Sequence, residues 1–177
     1  MRFKSTAAHT EPYIDLRSTS QSHTRPRQIL KIRDYQPEDF EALYELDHAS
    51  FSEEIAWSRL ELLYYVRAKK CRTLIFEHRK KILGFVIGSV EPKKLGHIIT
   101  IEVVATKQRQ QIGSKLLAAI ESFLWEKGVQ AIFLETAVDD GGARGFYEKH
   151  GYFVTDRFEQ YYTETLDAFV MMKASKH

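Results

Sequence analysis

The sequence predicts a mixed α/β layer fold, and three observations carry that prediction. Runs rich in β-branched and aromatic residues, such as 72–76 and 97–104, alternate with stretches whose apolar residues recur every three or four positions. The order of these stretches is β-α-α-β-β-β-α-β-α-β-β, with no internal repeat. The chain has 177 residues, 44% of them hydrophobic, which suits one domain with a sizeable core.

Ile29-Leu30-Lys31-Ile32-Arg33 reads as the first strand. Pro37 then stands where a helix favours its first residue, and Glu38 and Asp39 follow at the positive end of the dipole. Phe40, Leu43, Tyr44 and Leu46 give that helix one apolar stripe. A second helix is expected over 57–69, with Ser58 near its start and Leu60, Leu63, Tyr64 and Val66 facing inward. The middle reads as a β-meander: 72–78, a turn at Arg79-Lys80, then 82–90 with Gly84 and Gly88. A loop with Pro92 and Gly96 leads to 97–104, the most β-prone run in the chain.

The period then changes. Ile112, Leu116, Leu117, Ile120, Phe123 and Leu124 mark a long amphipathic helix closed by Lys127-Gly128. Residues 131–134 form a buried strand, and 141–150 a short helix closed by Gly151. Segments 152–154 and 168–172 are the last two strands, joined by a connection that holds Tyr161 and Tyr162.

Residues 1–28 differ from the rest. They hold eight Ser or Thr and two Pro without periodicity, and five basic against two acidic groups, a surplus of +3. Such a stretch reads as a disordered basic tail, with the folded domain at 29–175. The remainder carries 21 basic and 22 acidic groups, so no nucleic-acid partner is expected. No apolar run reaches the roughly 20 residues that span a bilayer, so no membrane association is expected. The single cysteine, Cys71, excludes an internal disulfide and favours the reducing cytoplasm. The seven histidines show no ligand spacing, so no metal is expected. A monomer or homodimer is compatible with this composition.

The chemistry-bearing segment lies between the central strand and the long helix: Val103, Val104, Ala105, Thr106, Lys107, Gln108, Arg109, Gln110, Gln111, Ile112, Gly113, Ser114, Lys115. A strand end feeding a helix N-terminus presents unpaired backbone N–H groups and the positive end of a dipole, a site suited to a pyrophosphate. Gly113 allows close approach, and Lys107, Arg109 and Lys115 add positive charge. The glycine fingerprints of nucleotide-binding folds are missing.

Gln108-Arg109-Gln110-Gln111-Ile112-Gly113 resembles the [QR]-x-x-G-x-[GA] motif of the Gcn5-related N-acetyltransferase (GNAT) superfamily, with Gln111 at the first glycine position. The resemblance covers about 29–173. Leu134-Glu135 followed by Phe146-Tyr147-Glu148-Lys149-His150-Gly151-Tyr152 resembles the signature of N-terminal peptide acetyltransferases, including the ribosomal-protein-alanine (RimI-type) enzymes, with Asp140 in place of the usual Asn. Tyr161-Tyr162, Asp167-Ala168 and Met171 are similar to the ending of the same group.

The resemblance implies the GNAT acyl-CoA N-acyltransferase fold and an acetyl-CoA-dependent transfer of acetyl to a protein or peptide α-amine. It places Val103, Val104, 108–114, Asp140 and Tyr147 against the cofactor, and Tyr161 and Tyr162 against the substrate. The transfer requires an amine to lose a proton, a carbonyl oxygen to be stabilised and a thiolate to be protonated. Glu135 is the first candidate base and His97 the second, while Tyr147 is the acid that the resemblance implies. A backbone N–H near Val103 is the candidate oxyanion donor. Glu102 alternates by parity to the opposite face from His97 and reads as structural. Two other readings stay open: a small-molecule amine or lysine acetyltransferase, and a catalytically weak acyl-CoA-binding regulatory module.

Overall fold

The computed structural model describes residues 30–175; the expected tail, 1–28, lies outside the described residues. The chain forms β1 (Leu30–Asp34), α1 (Phe40–Ser50), α2 (Arg59–Arg67), β2 (Cys71–His78), β3 (Lys81–Glu91), β4 (Leu95–Val103), α3 (Ile112–Glu126), β5 (Ala131–Ala137), α4 (Gly141–Lys149), β6 (Phe153–Thr163) and β7 (Leu166–Ala174). The element order is the one expected. The strands make one seven-stranded sheet, β1-β2-β3-β4-β5-β7-β6, antiparallel except where β4 meets β5.

Two hydrophobic layers flank the sheet. On one side α3 buries Leu116, Leu117, Ile120 and Leu124 completely against Leu74, Phe76, Val86, Ile98 and Ile132. Each such side chain contributes about 1.5–3 kcal/mol. The helix comes close to β3 because that strand has no side chain at Gly88, where a Cβ would lie 2.6 Å from Ile120 Cγ1. On the other side α1 and α2 cover Ile75, Phe85 and Ile87 with Leu43, Leu46 and Leu62.

Several expectations are corrected. The second helix starts at Arg59, capped by Ser58, whose side chain accepts from the Glu61 N–H while Glu61 reaches back to the Ser58 N–H. That frame turns Leu62 to the core and leaves Leu60 and Tyr64 exposed instead of inward-facing. Pro37 opens a single 3-10 turn, Pro37–Asp39, ahead of α1. Gly96, expected in a loop, lies within β4. The segment holding Tyr161 and Tyr162, expected as a connection, is the outer part of β6, which continues well past Val154 to Thr163. Its outward residues carry no apolar alternation because most of β6 is exposed on the sheet edge.

Candidate active site

The site is made by two neighbouring strands that part. β4 and β5 pair only from Leu95 to His97 against Ala131 to Phe133. Beyond that point β5 is paired only with β7, and β4 only with β3. The Val104 N–H donates to Leu83 O at 3.0 Å, so alternation turns the Val103 N–H to the other edge of β4, where β5 has already left. An unpaired backbone donor therefore opens onto the gap.

At the closed end of the gap, His97 stacks flat on Phe133, with centroids 4.3 Å apart and planes at 6°. Its Nε2 lies 2.7 Å from Glu135 Oε2. Glu135 sits two residues past the last paired position, so its carboxylate reaches back to the imidazole. The two candidate bases are thus one hydrogen-bonded unit, partly shielded from solvent.

A β-bulge changes which residues share that side of the sheet. Ile87 pairs with Thr100 while Gly88 pairs with Ile98, leaving Ile99 as an extra residue in β4. His97 lies opposite Ser89 and Glu102 opposite Phe85, and Ser89 and Phe85 are an even number of residues apart on β3. Cross-strand neighbours share a face, so His97 and Glu102 face the same layer, that of α1 and α2. The parity expectation that set them on opposite faces fails at the bulge.

On the far side of the gap the loop 105–111 is exposed and left-handed at Arg109 (φ 59°) and Gln111 (φ 63°). This alternation is the kind that turns successive N–H groups to one concave side. The α3 N-terminus follows without a side-chain cap; its first internal bond is Lys115 N–H to Gln111 O, 3.1 Å. The N–H groups of Ile112, Gly113 and Ser114 are left for another acceptor. Gln108 Nε2 donates to Val103 O at 3.3 Å and ties the loop to the strand end. Among the described residues no carboxylate pairs with Lys107, Arg109 or Lys115. A Cβ at Gly113 would meet Phe146 at 3.5 Å, an ordinary contact, so packing within the chain does not by itself demand glycine there. Gln110 is exposed between the two left-handed residues.

Tyr147 lies on α4, buried, with its ring edge-on to Phe146 and Tyr152. Burial, with smaller contributions from Tyr162 and Asp140, pushes its phenol well above the ordinary tyrosine range. Asp140 is the N-cap of α4: Oδ1 accepts from the Ala143 N–H at 2.8 Å, a task an Asn performs equally. Tyr161 and Tyr162 meet edge to face, centroids 5.0 Å apart. Adjacent residues of an extended strand point apart, but Gln160 is left-handed (φ 54°) and the β6–β7 register breaks between Phe158 and Thr163. Burial raises both phenols, Tyr161 to about 12, and Glu135 adds to the rise in each. Tyr162 is also raised by Tyr161 and Asp140, and Tyr161 by Tyr65 of α2. Glu135 therefore lies near both hairpin tyrosines, and Tyr162 lies near Tyr147.

Residues 32–152 match the acetyltransferase (GNAT) family. The chain belongs to the GNAT family. Its fold and its class of reaction, N-acetyl transfer, are those of this family. It is 28% identical over 143 residues to an uncharacterised N-acetyltransferase of Methanocaldococcus jannaschii, covering 80% of this chain and 90% of that one. It is 36% identical over 74 residues to N-alpha-acetyltransferase 30 of Schizosaccharomyces pombe, covering 42% of this chain and 49% of the relative. The crystal structure of Ard1 from Thermoplasma volcanium shares the fold, with a TM-score of 0.76 at 24% identity over 83% of this chain and 98% of that one. Solved structures with the GNAT fold include complexes with coenzyme A.

Two features of this GNAT domain escaped sequence reasoning. One is a pair of buried carboxyls, Asp47 of α1 and Glu102 of β4, 55 positions apart in the chain. The other is a shallow cleft of about 320 Å³ on α2 lined by Trp57, Leu60, Glu61, Tyr64 and Tyr65. The exposed Leu60 and Tyr64 were the available signal for the cleft, but their spacing mimics a core stripe. No helix of the described residues is long and apolar enough to cross a membrane.

Proposed function

We propose that this chain transfers the acetyl group of acetyl-CoA to the α-amine of a protein or peptide N-terminus. The observation that carries the reading is the His97–Glu135 pair at the closed end of the β4–β5 gap, with Tyr162 and Tyr147 nearby. The match to an N-alpha-acetyltransferase supports the α-amine, and the single thiol suits a cytoplasmic setting.

The donor set fits acetyl-CoA. The uncapped α3 N-terminus, the left-handed loop and the unpaired Lys107 and Arg109 suit a pyrophosphate, and the open edge of β4 suits a carbonyl oxygen. Residues 108–114 would hold the phosphates, and Val103 and Val104 the acyl arm. When bound, acetyl-CoA supplies an activated acetyl thioester. The chain's own residues do the rest. Glu135 takes a proton from the substrate ammonium directly or through one water, and His97 holds the carboxylate in place. α-Amines ionise near ~8 and lysine near ~10.4, so a carboxylate base works more easily on the former. The Val103 N–H donates to the carbonyl oxygen as charge develops. As the C–N bond forms and the C–S bond breaks, Tyr147, which burial keeps protonated, would donate to the departing sulfur. The second proton that the nitrogen sheds on becoming an amide would return through water to the phenol.

The test measures thiol release from acetyl-CoA across peptides with varied N-termini, free lysine and polyamines, with melting temperature recorded alongside. A peptide preference of about tenfold or more is expected, with a melting temperature that rises with acetyl-CoA. Preference for lysine or polyamines would move the assignment to a small-molecule acetyltransferase. A thermal shift without turnover on any amine would make the chain an acyl-CoA-binding module.

A further inference from the structure

The Asp47 and Glu102 carboxyls stand against each other on the α1–α2 side of β4. Both are shut away from water, 1% and 3% exposed. Thr100 Oγ1 donates to Glu102 Oε1 at 3.1 Å, but Glu102 Oε2 is buried and receives no donor from the described residues. Asp47 Oδ2 accepts the Trp57 N–H at 2.8 Å. Two carboxylates cannot hydrogen-bond without a proton between them, and neither can shed its charge into solvent here.

The pair is placed where it matters. Glu102 immediately precedes Val103, whose N–H opens on the gap. Asp47 lies in the last turn of α1 and fixes the end of the connection 51–58 through Trp57. The Trp57 ring meets Tyr65, centroids 4.7 Å apart, and Tyr65 lies near enough to Tyr161 to help raise its phenol. Contacts thus run from the carboxyl pair through Trp57 to Tyr65, which stands near the groove tyrosine Tyr161.

We propose that Asp47 and Glu102 share one proton as a clasp that holds the 51–58 connection against β4, making Glu102 a positioning residue for the acceptor peptide. Loss of that proton sets two like charges against each other in a buried site. The groups that face the pair are few. From α1, His48 Nδ1 stands 3.5 Å from Asp47 Oδ2 and Ser50 lies against Glu102; from α2, Glu61 adds negative charge; from β4 there is Thr100; and β3 offers the apolar Phe85. Arg59 at the start of α2 is held on the surface by Glu41. Burial first, then the Asp47 charge, pushes Glu102 up to about 8, so the clasp holds at neutral pH and opens above it.

The sign follows from linkage. Unfolded, both carboxyls ionise in the ordinary acid range, while the folded pair retains a proton up to about pH 8. Stability should therefore fall as pH rises from about 5 to 8 and level off above.

The peptide readout rests on the acceptor proposed above; the other two readouts do not. Peptide KM, kcat and acetyl-CoA KM are measured from about pH 6 to 10 for the native chain and Glu102→Gln, whose amide supplies a permanent donor to Asp47. The native peptide KM is expected to rise about tenfold more than that of the variant above pH 8, with kcat and acetyl-CoA KM tracking together. The amine's own ionisation is common to both proteins and cancels. Without substrate, tryptophan fluorescence and melting temperature of the native chain should titrate with a midpoint near 8, and those of Glu102→Gln should not. Asp47→Asn, which keeps an acceptor for Trp57 and removes the paired charge, should lower that midpoint clearly below the native one and stands in if Glu102→Gln does not fold. Native-like titrations in the variants overturn the clasp, even if no peptide is acetylated. A fluorescence titration that vanishes while the KM profiles stay superimposed overturns its role in positioning the peptide.

Discussion

His97 Nε2 stands 2.7 Å from Glu135 Oε2, bridging two strands that separate immediately beyond the contact. Groups bonded in this way act together, so their removal should not cost independently. Glu135→Gln and His97→Ala are each expected to lower kcat by about 10²-fold, and the double variant by little more than the larger single effect. Steady-state kinetics on the three proteins decide it. Losses that multiply to about 10⁴ would mean the two side chains serve separate steps.

Tyr147 and Tyr152 make a matched pair of controls, since both are buried and their rings meet at 5.6 Å. Tyr147→Phe should lower kcat about tenfold or more and leave both acetyl-CoA affinity and melting temperature close to native. Tyr152 instead donates to Glu121 Oε1 at 2.8 Å, and Glu121 is also held by Lys173. Tyr152→Phe should cost about 1–2 kcal/mol of stability and no activity per folded molecule. Calorimetry with kinetics separates the cases; a destabilised but active Tyr147→Phe would make that tyrosine structural.

What the sequence made legible was whatever repeats along the chain. The spacing of Ile112, Leu116, Ile120 and Leu124 reads directly as α3, and the β-branched runs read as strands, because each period follows from backbone geometry. Glu135, His97 and Tyr147 were each identifiable, but not the bond between the first two, which depends on the parallel register of β4 and β5. One extra residue at Ile99 inverted the parity argument for Glu102. The helical frame of α2 was lost for a similar reason: aromatic residues on its outer face line a surface cleft, and composition alone cannot distinguish that from a core stripe.

Gln111 holds the α3 N-cap position in a left-handed conformation, φ 63°, and offers no side-chain bond to the helix. That conformation costs a residue with a Cβ about 1–2 kcal/mol, and glycine almost nothing. Gln111→Gly is therefore expected to raise the melting temperature and to bind acetyl-CoA at least as tightly. Differential scanning calorimetry with and without acetyl-CoA measures both. A fall in stability would show that the glutamine side chain makes contacts worth more than the backbone relief.

The hairpin tyrosines bear on substrate class. Their rings touch edge to face, Glu135 lies close enough to raise both phenols, and the left-handed Gln160 lets two adjacent residues face one side. On the function proposed, a phenol there would hydrogen-bond the backbone of an entering N-terminus and hold its amine beside Glu135. Replacing each tyrosine by phenylalanine removes only that bond, which for a neutral pair is about 0.5–1.5 kcal/mol, or up to about tenfold in peptide KM. Tyr162 is the more enclosed of the two, while Tyr161 is 46% exposed, so water can replace its lost partner. Tyr162→Phe should therefore raise peptide KM more than Tyr161→Phe, with acetyl-CoA KM unchanged in both. If neither variant alters peptide KM, and free lysine is acetylated as fast as a peptide N-terminus, the groove is not a peptide site and the acceptor is a small amine.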